Sequence, residues 1–200
     1  MPVETMLALM GFAFVMSISP GPGNFLLLTS GANFGFMRSI PLILGISAGF
    51  LSMVLGVGLG LGQLLNEVPI LYTILRVLCG LYVLWLALKI AKSRSLGSDN
   101  PEQVAKPISF IQASLFQLLN PKAWTVALIV TVSYTVPDNY LNSLVLLIGL
   151  FAAINIPSIS VWALSGAALQ LQLSAGNRIK FFNIAMALLL VGSMIPMLIN

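Results

Sequence analysis

Apolar residues in this chain run almost unbroken for twenty or more positions at a time, and short polar or Pro/Gly-rich stretches separate the runs. Runs of that length match bilayer hydrocarbon, which takes about 20 helical residues to cross. Six can be drawn, over 5–30, 39–65, 68–90, 110–136, 140–170 and 178–198. Two are interrupted at membrane depth. Ser19-Pro20-Gly21-Pro22-Gly23-Asn24 lies in the first and Asn120-Pro121-Lys122-Ala123-Trp124 in the fourth. Proline lacks an N–H and clashes with the preceding turn, and glycine adds backbone freedom. The pattern therefore predicts that helices 1 and 4 are broken there. Hydrocarbon cannot satisfy the backbone groups such a break frees, so each break must be buried in protein or line a cavity. The two stretches are expected to face each other across a substrate site.

Composition agrees. The chain is 58% hydrophobic and 7% charged, where a soluble domain carries about 25% charged residues, and its mean hydropathy is +1.03. This predicts an all-α integral membrane protein, one domain over 1–200 with six transmembrane helices. The net charge of +4 reflects topology, and no nucleic-acid partner is expected. Arg38, Lys89, Lys92, Arg94, Lys106, Arg178 and Lys180 fall on one side of the predicted spans, while Glu4, Glu67 and Asp138 fall on the other. The excess of Lys and Arg on cytoplasmic loops makes the first side cytoplasmic. The polar loop 91–109 is then cytoplasmic and both termini are extracytoplasmic. With Glu4 and no early basic residue, the first run reads as a retained helix, not a cleaved signal. The halves, about 1–90 and 110–200, each open with a broken helix. Three spans per half force opposite orientations, the inverted-repeat plan of many secondary transporters.

Helix 2 carries glycines at 45, 49, 56 and 60 on one face. Small residues let helices approach closely in lipid, which suits packing within the bundle or a homodimer. The single cysteine, Cys79, forms no disulfide within the chain and reads as core packing, and there is no histidine. No paired carboxylates and no nucleophile with a base partner stand out. No enzyme activity, cofactor or metal site is expected, although an intramembrane enzyme and a structural membrane subunit are the rival classes. What remains is a site for something small and polar. Lys122 has no carboxylate in its span. It either meets a substrate anion or is satisfied by helix carbonyls and Asn120. Asn24, Asn120 and Asn155 each stand near a proline, as a polar midplane cluster or as caps on kinks. The half-helix after Pro22 is expected to present N–H groups of Gly23, Asn24 and Phe25 to an anion. Arg76 either snorkels towards Glu67 or contacts substrate. The candidate site is thus Pro20, Gly21, Pro22, Gly23, Asn24, Arg76, Asn120, Pro121, Lys122 and Asn155.

Ser19-Pro20-Gly21-Pro22, Gly45 and Gly49, Gly80-Leu81-Tyr82 and Asn120-Pro121-Lys122-Ala123-Trp124 together resemble the lysine exporter (LysE/RhtB) family of bacterial amino-acid exporters. Within it the chain looks most similar to the cysteine/O-acetylserine exporter branch. That likeness lies in Gly49-Phe50-Leu51, Lys106-Pro107-Ile108-Ser109-Phe110, Trp162-Ala163-Leu164-Ser165-Gly166 and the run 183–190. The resemblance implies a multi-pass inner-membrane exporter of small amino acids, with membrane lipid around it and a proton gradient as the expected driving force. Homoserine or threonine is the alternative cargo. Many relatives carry an acidic residue where this chain has Phe50, a departure that suits a small neutral substrate better than a cationic one.

Overall fold

The computed structural model describes residues 1–61, 67, 69–92, 106–173, 177–193 and 195, without the side chains of 69, 71, 72, 75, 76 and 79. The described residues are mostly helical. In chain order they form α1 (Val3–Ile18), α2 (Pro22–Phe34), α3 (Phe36–Gly56) with a π-helical turn at Val57–Leu61, α4 (Pro69–Ala91), α5 (Phe110–Leu118), α6 (Pro121–Tyr134), α7 (Tyr140–Leu173) and α8 (Arg178–Gly192). Most of the loop 91–109, the end of helix 2, the last residues of helix 6 and the side chains of Tyr72, Arg76 and Cys79 lie outside the described set.

Both expected breaks are present, and their cause is the residue before each proline. A proline ring pushes its predecessor out of the α region. Ser19 (φ −65°, ψ 144°), Gly21 (φ −177°, ψ 173°) and Asn120 (φ −95°, ψ 110°) are all extended. Pro22 and Pro121 then open α2 and α6, a position where their missing N–H costs nothing. The chain bends by 56° between α1 and α2 and by 69° between α5 and α6. Pro157, by contrast, leaves the 34-residue α7 continuous. Among the described residues two helices are long and apolar enough to cross a membrane, or four if each bent pair is one span.

α7 is the central element and packs on α1, α2 and α3. Its crossing with α2 is reciprocal. A Cβ on Gly31 would collide with the carbonyl of Ala163, and one on Gly166 with the carbonyl of Leu28. On α3, Gly45 and Gly49 are pressed in the same way against Phe110, Ala113 and Ser114 of α5. That glycine face is occupied inside the chain and is not a free dimer surface. Gly56 and Gly60 make no such backbone approach, and Gly60 takes φ 106°, a kink within the π-helical turn. α3 lies on α5 and α7 on α1, while α4 pairs with α8.

Two apolar cores result. One gathers Leu26, Leu42, Ile46, Leu86, Phe116, Ile159 and Leu190. The other gathers Leu9, Phe50, Val54, Val126, Val130, Leu147 and Phe151. Phe34 of α2, Lys89 of α4 and Lys106 share a small cavity at one end, and Gln170 approaches Gly35 there. Basic residues concentrate near that end. At the other, the Tyr140 hydroxyl donates to the Gly58 carbonyl at 2.8 Å.

The reciprocal crossing makes a direct prediction. Gly31→Ala and Gly166→Ala are each expected to cost about 1–3 kcal/mol through overpacking. Thermal unfolding in mild detergent would show it, with Gly11→Ala, which meets nothing within 4 Å, as the unaffected comparator.

Candidate functional site

The first break frees the carbonyls at the end of α1, and each has a donor. Ser19 N–H donates to Val15 at 3.0 Å and Ser19 Oγ to Met16 at 3.2 Å. The Asn24 amide donates to the carbonyls of Ser17 and Ser19, both at 2.8 Å. Trp162 Nε1, from α7, donates to Ile18 at 3.0 Å. Lys122 Nζ, from the second break, donates to Ser19 O at 2.9 Å, Ser19 Oγ at 2.8 Å and, at the long limit of 3.5 Å, Pro20 O. The second break is closed similarly. Asn120 Oδ1 accepts from the Lys122 N–H at 3.2 Å, and Trp124 Nε1 donates to Leu118 O at 2.8 Å. The two breaks do face each other, and Lys122 joins them.

A cavity of about 60 Å³ opens where they meet. It lies at the boundary of the two apolar cores, with Ile46 and Ile159 from one and Phe50, Val126 and Phe151 from the other in its wall. At about 10–15 Å³ for each water-sized occupant, it has room for roughly four to six. Polar atoms reach it from Ser17, Asn24, Gln117, Asn120, Lys122 and Asn155. Asn155 Nδ2 donates to Ser17 Oγ at 2.9 Å, and its Oδ1 accepts from Ser47 Oγ at 2.7 Å. This chain of three ties α1, α7 and α3 together. Asn120 Nδ2 donates to Gln117 Oε1 at 3.1 Å. Among the described residues no buried side-chain polar atom lacks a partner.

Of the ten residues expected from the sequence, Gly21, Gly23, Asn24, Asn120, Lys122 and Asn155 line this cavity. Pro20, Pro22 and Pro121 stand beside it and shape the backbone. Arg76 lies on α4, and its side chain is outside the described set. A Cβ at Gly21 would stand 3.0 Å from Lys122 Cδ and press on the lysine side chain. The expectation of three orphan amides after Pro22 is corrected to two. Phe25 N–H makes the first bond of α2, to Gly21 O at 3.0 Å. Gly23 and Asn24 have no such helical acceptor, and no side chain caps α2. The carbonyls freed at the break are likewise occupied by Asn24, Trp162 and Lys122. Gln117, Ser17 and Ser47 escaped the sequence reading. A lone Ser or Gln within an apolar run has no local signature, and only the fold brings these three to the proline-linked asparagines.

The arrangement offers one fixed cation, two helix-start amides and several amide oxygens in one apolar-walled space. It is suited to a small molecule with a negative and a positive group. Asn24→Leu keeps the branched shape but removes the donor to the Ser17 and Ser19 carbonyls, of which Ser19 retains Lys122. It is expected to lower stability by about 1–3 kcal/mol for the Ser17 carbonyl left unpaired. An unchanged unfolding temperature in detergent would contradict the hydrogen-bond assignment.

Comparison with known proteins finds a family match, LysE type translocator, over residues 14–199. The chain is 32% identical to the cysteine/O-acetylserine efflux protein of Escherichia coli (strain K12) over 182 residues, 90% of each chain. It is 30% identical to the protein of that name from Salmonella choleraesuis (strain SC-B67), over 188 residues and 90% of each. An uncharacterized membrane protein of Vibrio cholerae is 26% identical over 125 residues, 62% of this chain and 61% of that one. No solved structure matches.

Proposed function

We propose, from the premise that this chain belongs to the LysE type translocator family, that it exports small neutral amino acids of the cysteine/O-acetylserine kind across the bacterial inner membrane. Transport is by alternating access of the central cavity, driven by a proton gradient. The basic end faces the cytoplasm, and both termini lie on the opposite side. The observation that carries this reading is the Lys122 ammonium set beside the uncapped start of α2 at a polar cavity.

The substrate carboxylate takes Lys122 and the amides of Gly23 and Asn24. It displaces the weak 3.5 Å contact to Pro20 first. The substrate ammonium takes the second lone pairs of the amide oxygens of Gln117, Asn120 and Asn155. Phe50, its ring tilted 45° to that of Phe151 with centroids 4.8 Å apart, keeps the wall beneath uncharged, which favours a neutral side chain on the substrate. As Lys122 turns to the substrate, its hold on residues 19–20 loosens, and the link between α1 and α2 is free to bend. The exchanged packing, α3 on α5 and α7 on α1, supports six spans arranged as two inverted halves. Lys122 is the titratable group on the cavity wall and the candidate carrier of the coupled proton.

Uptake of labelled cysteine, O-acetylserine, serine, threonine, homoserine and lysine into everted membrane vesicles, with and without an imposed proton gradient, tests the reading. Gradient-dependent movement of a neutral member is expected. Lys122→Met is expected to reduce it about ten- to a hundredfold, the loss of one charge-assisted hydrogen-bond site. Wild-type rates in that variant, with normal membrane insertion, would overturn the assignment of Lys122.

A further inference from the structure

A second cavity, of about 30 Å³, lies at the basic end, between α2, the end of α4 and residues 106–108. Lys89 and Lys106 both reach it, and Leu26, Phe34, Ile90 and Ile108 supply apolar walls. Lys89 is half-buried and held over the Trp85 ring, 5.4 Å from its centroid, and Trp85 in turn stacks on Tyr82. This contact orients the ammonium without neutralising it. The acidic residues in the described set are Glu4, Glu67 and Asp138. They stand at the start of α1, before α4 and before α7, the far ends of those helices.

The two cavities are in register. Gly23 lines the central one, and Leu26, Ser30 and Phe34 line or border the second. Steps of three and four residues keep these positions on one face of α2. On the facing side, Gln117 lines the central cavity and Ile108 the second. The seven residues of α5 between them, 110–116, span about 10 Å at 1.5 Å each. Leu26, a wall of the second cavity, and Phe116, the neighbour of Gln117, belong to one apolar cluster and are both fully buried.

We propose that the second cavity is a loading station for the substrate carboxylate, with Lys89 and Lys106 as its anion-binding groups. This rests on the reading of the chain as an amino-acid exporter. An amino acid reaching the basic end is held by its carboxylate there. It then passes along the α2 face, once Leu26 and Phe116 part, to exchange these two ammonium groups for Lys122. Two cationic stations in series favour carboxylates over other small neutral solutes before the central site is reached.

The test is concentration-dependent uptake in everted vesicles, using labelled cysteine or whichever amino acid of the panel the wild type moves. Lys89→Gln and Lys106→Gln, singly and together, are compared with the double Arg variant. The double Gln variant is expected to raise the half-saturating concentration about five- to tenfold, the scale of two partly exposed ion pairs. Its maximal rate should change less than twofold, and the Arg variant should restore wild-type values. An unchanged half-saturating concentration in the double Gln variant, with wild-type transport intact, would overturn the loading station alone. Failure of the wild type to move any amino acid would overturn the exporter reading and this one with it. The same comparison in liposomes separates a lipid headgroup from substrate. A Gln effect that persists in phosphatidylcholine alone is the expected result. An effect seen only when phosphatidylglycerol is present would assign the cavity to a lipid phosphate and overturn the proposal.

Discussion

Carbonyl groups released at residues 16–20 have no water to turn to inside a bilayer, and the structure is arranged around supplying them with donors. One comes from the hydroxyl of Ser19 and two from the amide of Asn24. Trp162 reaches across from α7, and Lys122 reaches across from the other break. A break in one helix therefore fixes where two other elements must stand. α7 is held against α1 by an indole hydrogen bond and against α2 by the Gly31–Gly166 crossing. The turn before α6 is held by a lysine whose alternative is an unpaired charge at membrane depth, a costly state.

The same constraint places the central cavity. The two apolar cores cannot merge across a region so rich in backbone polar groups, and the cavity lies on the line where they stop. Because the buried side-chain polar atoms of the described residues are already paired, a ligand that reaches them must exchange for existing contacts and not simply add to them. Lys122 is where exchange is easiest, since one of its three acceptors sits at 3.5 Å. In the proposed function, binding and bending are thereby linked through one side chain. A ligand with differential affinity for the two arrangements of the α1–α2 link shifts their populations, which is what a carrier needs.

Much of this was readable in the residues. Proline at 20, 22 and 121 dictates extended backbone at 19, 21 and 120, and apolar runs dictate helices on either side. Long-range partners were not readable. Gly31 and Gly166 look ordinary until two particular helices cross, while Gly56 and Gly60 share the spacing of Gly45 and Gly49 yet meet no neighbouring backbone. Pro157 reads like the breaking prolines but sits in an unbroken helix. Trp162 was visible only as part of a family likeness, and its role as a donor to Ile18 depends on the bend that brings the carbonyl to it. Ser17, Ser47 and Gln117 join the site through asparagines more than fifty residues distant or one turn away, a relation no local pattern encodes.

The central claim is that a carboxylate exchanges onto Lys122, and the most direct measurement is competition by an analogue that lacks one. Cysteinamide keeps the ammonium and side chain of cysteine but replaces the carboxylate with a neutral amide. In everted vesicles, unlabelled cysteine should suppress uptake of labelled cysteine, and cysteinamide at the same concentrations should leave it nearly unchanged. Equal suppression by the two compounds would show that the carboxylate is not what the site recognises and would contradict the account.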